Sequence, residues 1–145
     1  MRIDFYQLSR DPAEAALPLI ARATLAAEER LLVVSGDDAQ LLRVSEALWA
    51  KLPDSFLAHG LAGSPEQERQ PILLSKQTEV ANGANYIAMA DGVWRDGADR
   101  FARAFLLFDA ATLEAARATW RMLGARAGVE RRFWKQDGAK WVEGP

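Results

Sequence analysis

Short apolar runs alternate along this chain with longer segments in which apolar residues recur every three or four positions. The apolar runs predict strands at residues 3–8, 31–35, 55–59, 71–75, 86–89 and 105–108. Residues 31–34 are continuously apolar, which is typical of a strand buried on both faces. Strands that alternate with helical segments indicate a three-layer α/β/α single domain with a mostly parallel central sheet.

Helical segments separate these predicted strands. The long ones are predicted at residues 11–29, 38–52 and 111–127, and a short one at residues 99–104. Pro18 lies inside the first segment and predicts either a kink or a later start, because proline removes a backbone hydrogen-bond donor. In the second segment, Leu41, Val44 and Leu48 recur at the spacing of one helix face. Residues 131–141 are expected to form a tail rich in tryptophan and basic side chains.

Composition narrows the possible functions. The 145 residues fit one domain, and 50% hydrophobic with 26% charged residues is an ordinary globular balance. The absence of cysteine excludes disulfides, thiolate metal sites and a cysteine nucleophile. The formal net charge of −2 argues against DNA binding through phosphates as the main role, because each such contact needs a lysine or arginine. The charged N-terminus is unlike a signal peptide and no apolar run approaches the roughly 20 residues that span a bilayer, so we expect a cytoplasmic protein without a membrane partner.

Catalytic and cofactor motifs are lacking. His59 is the one histidine, and no serine or aspartate around it gives the spacing of a catalytic triad. The loops at residues 9–12 and 35–38 lack the glycine pattern of phosphate-binding loops, and their acidic residues disfavour phosphate. Asp37 and Asp38 are better interpreted as helix N-capping residues. The sequence therefore predicts a non-enzyme without metal or cofactor, and a small α/β enzyme that uses His59 is the alternative.

Tryptophan and arginine are concentrated near the C-terminus. Three of the five tryptophans are Trp120, Trp134 and Trp141, and basic residues are interleaved with them. Arg117 and Arg121 lie one helical turn apart, beside an apolar stripe that contains Trp120. An apolar groove beside guanidinium groups suits an acidic, aromatic peptide. Three other interpretations stay open: Trp120 in the core, tail aromatics folded over the sheet, and stacking on single-stranded DNA.

Several segments, in this order and spacing, resemble the chi subunit family of bacterial DNA polymerase III. They are Phe5-Tyr6, residues 46–49, 55–60, 70–72, 82–84 and 105–109, Ala116-Arg117 with Trp120, and residues 133–137. The resemblance covers nearly the whole chain and implies one chi-like domain over residues 1–145. It also implies a non-catalytic accessory subunit of the clamp-loader complex. Such a subunit links the psi subunit to the acidic, phenylalanine-containing C-terminal tail of the single-stranded-DNA-binding protein, and so meets DNA only indirectly.

The resemblance further implies two binding sites. The tail-binding site corresponds to Arg117, Trp120 and Phe108, to which helical spacing adds Arg121. The segment used toward psi corresponds to Trp49 and Phe56, and His59 belongs to the same motif. A lysine expected about one turn before Arg117 is replaced by Leu113 or Glu114, which predicts a less basic tail-binding pocket.

Overall fold

One sheet organises the part of the chain that the computed structural model describes, residues 1–52, 54–137 and 140–144. Its strands are β1 (Arg2–Gln7), β2 (Leu31–Val34), β3 (His59–Leu61), β4 (Ile72–Ser75), β5 (Tyr86–Met89), β6 (Arg103–Phe108), β7 (Glu130–Asp137) and β8 (Lys140–Glu143). They lie in the order β3-β4-β2-β5-β6-β1-β7-β8. Every pairing is parallel except that of β7 with β8. The predicted α/β class with a mostly parallel sheet is confirmed.

Helices cover both faces of this sheet. They are α1 (Ala13–Ala26), α2 (Asp38–Ala50) and α3 (Leu113–Gly124), with 3-10 turns at Gln67–Arg69, Asp96–Arg100 and Ala110–Thr112. One core joins α1 and α2 to the sheet through residues such as Leu17 and Leu48. The other core joins α3 to the opposite face through residues such as Phe5 and Leu123. No helix of the described residues is long and apolar enough to cross a membrane.

A side chain caps the start of α2 but not the start of α1. Helix α1 begins at Ala13, two residues after the predicted start, and the buried Pro18 still lies inside it. Asp11 does not cap it, because its carboxylate accepts a 2.8 Å hydrogen bond from Gln136 instead. Asp37 caps α2 by accepting from the backbone N–H of Ala39, as predicted.

Some predicted boundaries are wrong. Residues 55–58 are not a strand, because the pairing with β4 begins at His59. The helix predicted at residues 99–104 is a 3-10 turn at Asp96–Arg100, and the chain then enters β6. Helix α3 ends at Gly124, and the chain turns back through Gly128, which has a φ of 78°. The predicted tail is a strand pair, β7 and β8, although its residues 138 and 139 lie outside the described part.

A buried carboxylate ties together the three strands at the β7 side of the sheet. Asp4 on β1 is fully buried. It accepts hydrogen bonds from Arg2 at 2.9 Å and from Arg103 of β6 at 2.8 Å. The Trp134 indole on β7 donates to it at 3.0 Å. A buried charge needs such partners, so Asp4 fixes how β6 and β7 lie against β1.

Candidate functional site

A groove lies where α3 crosses the sheet at β1, β6 and β7. It encloses about 400 Å³ and is lined by Phe5, Gln7, Phe108, Leu113, Ala116, Arg117, Trp120, Phe133 and Lys135. We call it the aromatic groove. The structure thus brings together Arg117, Trp120 and Phe108, three of the four residues predicted for the tail-binding site. Arg121, one helical turn beyond Arg117, is exposed and is not among the residues that line the groove.

Aromatic edges and faces form the inner wall of the groove. The Trp120 ring meets Phe5 edge-on, with 5.0 Å between the ring centroids. Phe133 stacks on Phe108 at 6.3 Å and meets Trp120 at 6.4 Å. Trp120 is therefore a core side chain on one edge and a groove wall on the other. Such packing fixes the rings before any ligand arrives, which lowers the entropy that binding would lose.

Arg131 holds Trp120 in place from behind. Its guanidinium carbon lies 4.2 Å from the centroid of the Trp120 ring, a cation–π contact. The same guanidinium donates a 2.7 Å hydrogen bond to the Trp120 carbonyl. Gly124 leaves room for it, because a Cβ there would come within 2.7 Å of the Arg131 side chain. Sequence reasoning missed this role, since it depends on how β7 lies against α3.

Two cations reach the rim of the groove from different elements. Arg117 on α3 forms a 2.9 Å ion pair with Glu114, one helical turn earlier. Lys135 on β7 pairs in register with Gln7 of β1, and both line the groove. On the helix side, Leu113 or Glu114 stands where a lysine was expected. On the strand side, Lys135 supplies a basic group. Sequence reasoning missed Lys135 and Gln7, because the strand β7 itself was missed.

The aromatic residues predicted for the psi interface also lie together. The Trp49 ring lies 5.7 Å from Phe56 and 4.4 Å from His59, measured between centroids. Trp49 is 53% exposed and Phe56 is 79% exposed. We call these three residues the Trp49 patch. Aromatic rings at this exposure on a domain surface are typical of a protein contact.

His59 has a geometry that favours a structural role. Its Nδ1 lies 2.8 Å from the Leu57 carbonyl oxygen, which can only accept, so Nδ1 donates. Its Nε2 lies 2.8 Å from the Ser45 hydroxyl and accepts that proton in the neutral ring. A backbone carbonyl thus occupies the place of the carboxylate in a triad. Neither Ser45 nor His59 lines the cleft at the carboxyl ends of the strands, where an α/β enzyme would bind its substrate.

That cleft, of about 560 Å³, is lined by more carboxylates than cations, and its two cations are Arg10 and Arg43. Its carboxylates are Asp11, Glu14, Asp37, Asp91 and Asp109. Asp109 is engaged in a capping box with Thr112 at the 3-10 turn that precedes α3. Negative charge at the helix starts disfavours phosphate there. Among the described residues, no group of three or more metal-binding side chains could hold a metal ion.

Asp91 is the best-anchored acid of the cleft. It accepts from the Arg95 guanidinium at 2.8 Å and from the backbone N–H of Gly36 at 2.9 Å. Burial alone would raise the pKa of the Asp91 carboxyl, but the hydrogen bonds from Arg95 and Gly36 outweigh it and hold the pKa below its ordinary value of 3.8. The stability that this anion contributes is complete above the ordinary pKa. It is lost as pH falls through the lower pKa of the folded state.

We expect the Asp91→Asn variant to lose about 1–2 kcal/mol of unfolding free energy at pH 7, because Arg95 loses its anionic partner. Between about pH 5 and pH 2, the wild type should lose more stability than this variant, so that the two converge. Urea denaturation at several pH values measures the difference. Asp54→Asn replaces an exposed carboxylate and serves as the control. Its unfolding free energy should vary with pH as that of the wild type does. Parallel profiles for the wild type and Asp91→Asn would contradict the assignment.

Fold and site together define a class of protein: an α/β/α domain with an aromatic groove of about 400 Å³ on one face and a mainly acidic cleft at the strand ends. A family model described as DNA polymerase III chi subunit, HolC, matches residues 1–130. The chain belongs to the DNA polymerase III chi subunit family, which confirms the resemblance seen in the sequence.

A curated relative agrees with this membership. The chain is 33% identical over 75 residues to the DNA polymerase III subunit chi of Escherichia coli (strain K12). The alignment covers 47% of this chain and 51% of that protein, so the match spans about half the length of the relative. The family match ends at residue 130, so nearly all of β7 and the whole of β8 lie beyond it.

Proposed function

We propose that this chain is a non-catalytic accessory subunit of the bacterial DNA polymerase III clamp-loader complex, which works in the cytoplasm and links two partner proteins. The aromatic groove takes the acidic C-terminal tail of the single-stranded-DNA-binding protein, and the Trp49 patch takes the psi subunit. The observation that carries the proposal is the aromatic groove, whose apolar wall lies beside Arg117 and Lys135. Membership of the chi subunit family supports it.

The chemistry of the groove fits a chain end that carries both aromatic and acidic groups. Partner rings gain free energy by leaving water for the wall formed by Phe108, Trp120 and Phe133. A terminal carboxylate gains a charge-assisted, bidentate hydrogen bond from the Arg117 guanidinium. The electrostatic part weakens as salt is added.

Direct binding of single-stranded DNA is the alternative that the same groups allow, because bases also stack on aromatic rings beside cations. The net charge of −2 disfavours it. Full-length single-stranded-DNA-binding protein should therefore capture this chain, and the same protein without its acidic tail should not. Two results together would favour direct DNA binding: this chain alone shifts an oligonucleotide in a gel, and the single-stranded-DNA-binding protein captures it equally with and without the acidic tail.

We expect Trp49→Ala and Phe56→Ala to weaken binding to the psi subunit by about 2 kcal/mol or more each, as exposed aromatic anchors do when truncated. Met122→Ala is the control, because Met122 is 38% exposed on α3, which covers the opposite face of the sheet from α2. Co-purification followed by a titration with psi measures the effect. If both aromatic variants bound psi as tightly as the Met122→Ala control does, psi would not bind at the Trp49 patch.

A further inference from the structure

We propose that Lys135 is a specificity-determining residue of the aromatic groove, the cation that receives the acidic side chains of the bound peptide. The inference rests on the proposed function of the groove and adds a residue that lies beyond the family match, which ends at residue 130.

The alternation of β7 places Lys135 on the groove side. Successive side chains of a strand point to opposite faces, so that Arg131, Phe133 and Lys135 share one face. Arg131 contacts the Trp120 ring, and Phe133 lines the groove together with Lys135. The opposite face of β7 is used for anchoring, because Trp134 donates to the buried Asp4. The strand therefore has a structural face and a groove face, and Lys135 lies on the latter, two residues before the last strand residue, Asp137.

Charge pairing distinguishes Lys135 from Arg117. Arg117 already forms a 2.9 Å ion pair with Glu114, so that an acidic ligand must compete with Glu114 for the guanidinium. Among the described residues, Lys135 forms no ion pair within 4.0 Å and is exposed. Its ammonium group is thus not held by another side chain within that distance, although the Asp137 carboxylate follows on the same face of β7. An acidic side chain can meet it without displacing another carboxylate.

Position also separates the two cations by role. Arg117 lies on the helix wall and Lys135 on the strand wall, beside the Gln7 amide with which it is in register. A peptide whose terminal carboxylate meets the helix wall has its preceding residues available to the strand wall. Lys135 therefore selects for acidic residues before the terminus, and Arg117 selects for the terminus itself.

Calorimetric titration with two peptides tests this division. One is the acidic C-terminal peptide of the host's single-stranded-DNA-binding protein. The other has the same length and a free terminus, but asparagine replaces each aspartate and glutamine each glutamate. For the acidic peptide, Lys135→Ala should raise the Kd about threefold to fivefold and Lys135→Glu about tenfold or more. For the peptide in which asparagine and glutamine replace the acidic residues, Lys135→Ala should leave the Kd unchanged.

The control is Lys140→Ala, a lysine of β8 in the same strand pair that does not line the groove. Equal Kd values for the Lys135→Ala and Lys140→Ala variants, with the wild type binding the acidic peptide, would overturn the role of Lys135 and leave the proposed function standing. An equal loss of both peptides in Lys135→Ala would also overturn it, because charge selection would be absent. A wild type that binds neither peptide would overturn the proposed function, and this inference with it.

Discussion

Replacing Asp4 with alanine is expected to lower the free energy of unfolding by about 3 kcal/mol, the largest loss of stability that we expect from a polar substitution in this chain. The Asp4 carboxylate is fully buried between Arg2, Arg103 and the Trp134 indole. Its removal leaves the Arg103 guanidinium without an anion among the described residues, leaves Arg2 with only the exposed Glu130 at 3.8 Å, and orphans the indole N–H. Urea denaturation at neutral pH gives the magnitude.

Two comparison variants make this prediction specific. Asp4→Asn keeps the size of the side chain but loses its charge, and should lie between Asp4→Ala and the wild type. Asp137→Ala removes an exposed carboxylate of β7 and should change stability by less than about 0.5 kcal/mol. If Asp4→Ala were as stable as Asp137→Ala, the buried network would not hold β6 and β7 to β1. The aromatic groove would then lack the support described here.

Arg117→Ala is expected to weaken binding of the acidic C-terminal peptide at least about tenfold, because it removes a charge-assisted hydrogen bond to the terminal carboxylate. The fold should be unaffected, since Arg117 is exposed and its only ion pair among the described residues is with the exposed Glu114. Calorimetry measures the affinity, and circular dichroism with thermal melting checks the fold.

Neighbouring variants locate the effect. Arg121→Ala removes the same group one turn further along α3, outside the groove lining, and should bind almost as the wild type does. Arg117→Lys keeps the charge but loses the bidentate geometry, so its affinity should be intermediate. If Arg117→Ala and Arg121→Ala lost affinity equally, general charge rather than the groove would explain the binding.

The sequence reveals the central strands because they are buried on both faces. β2 and β4 are almost continuously apolar, and a parallel sheet covered by helices requires this pattern. β3 is different, because its three residues His59–Leu61 form an edge strand whose position depends on the register with β4. Its start cannot be seen in local composition, since pairing with a distant segment determines it.

β7 was missed for a related reason. Its two faces both carry polar and aromatic side chains, Arg131, Phe133 and Lys135 on one and Arg132, Trp134 and Gln136 on the other. The alternation of apolar and polar residues that marks a half-buried strand is therefore absent. Its place is set by long-range contacts, such as the Gln136 amide oxygen that accepts from the backbone N–H of Arg10 at 3.1 Å.

The candidate site divides in the same way. Helical spacing and the resemblance to the chi family both point to Arg117 and Trp120, because the two residues lie on one continuous helix. Lys135, Gln7 and Arg131 join them only through the parallel pairing of β1 with β7, more than a hundred residues apart in sequence. A single sequence gives no signal for such a pairing. The charge of the groove could therefore not be predicted without the structure.

If the aromatic groove binds the end of an acidic peptide, as we propose, then binding should depend on the free terminal carboxylate of that peptide. The wild-type chain is titrated with the acidic C-terminal peptide of the single-stranded-DNA-binding protein, once with a free terminal carboxylate and once with that terminus amidated. We predict saturable one-to-one binding of the free peptide and affinity at least about tenfold lower for the amidated one. Equal affinity for the two peptides, or no binding of either, would show that the groove does not recognise the end of an acidic peptide.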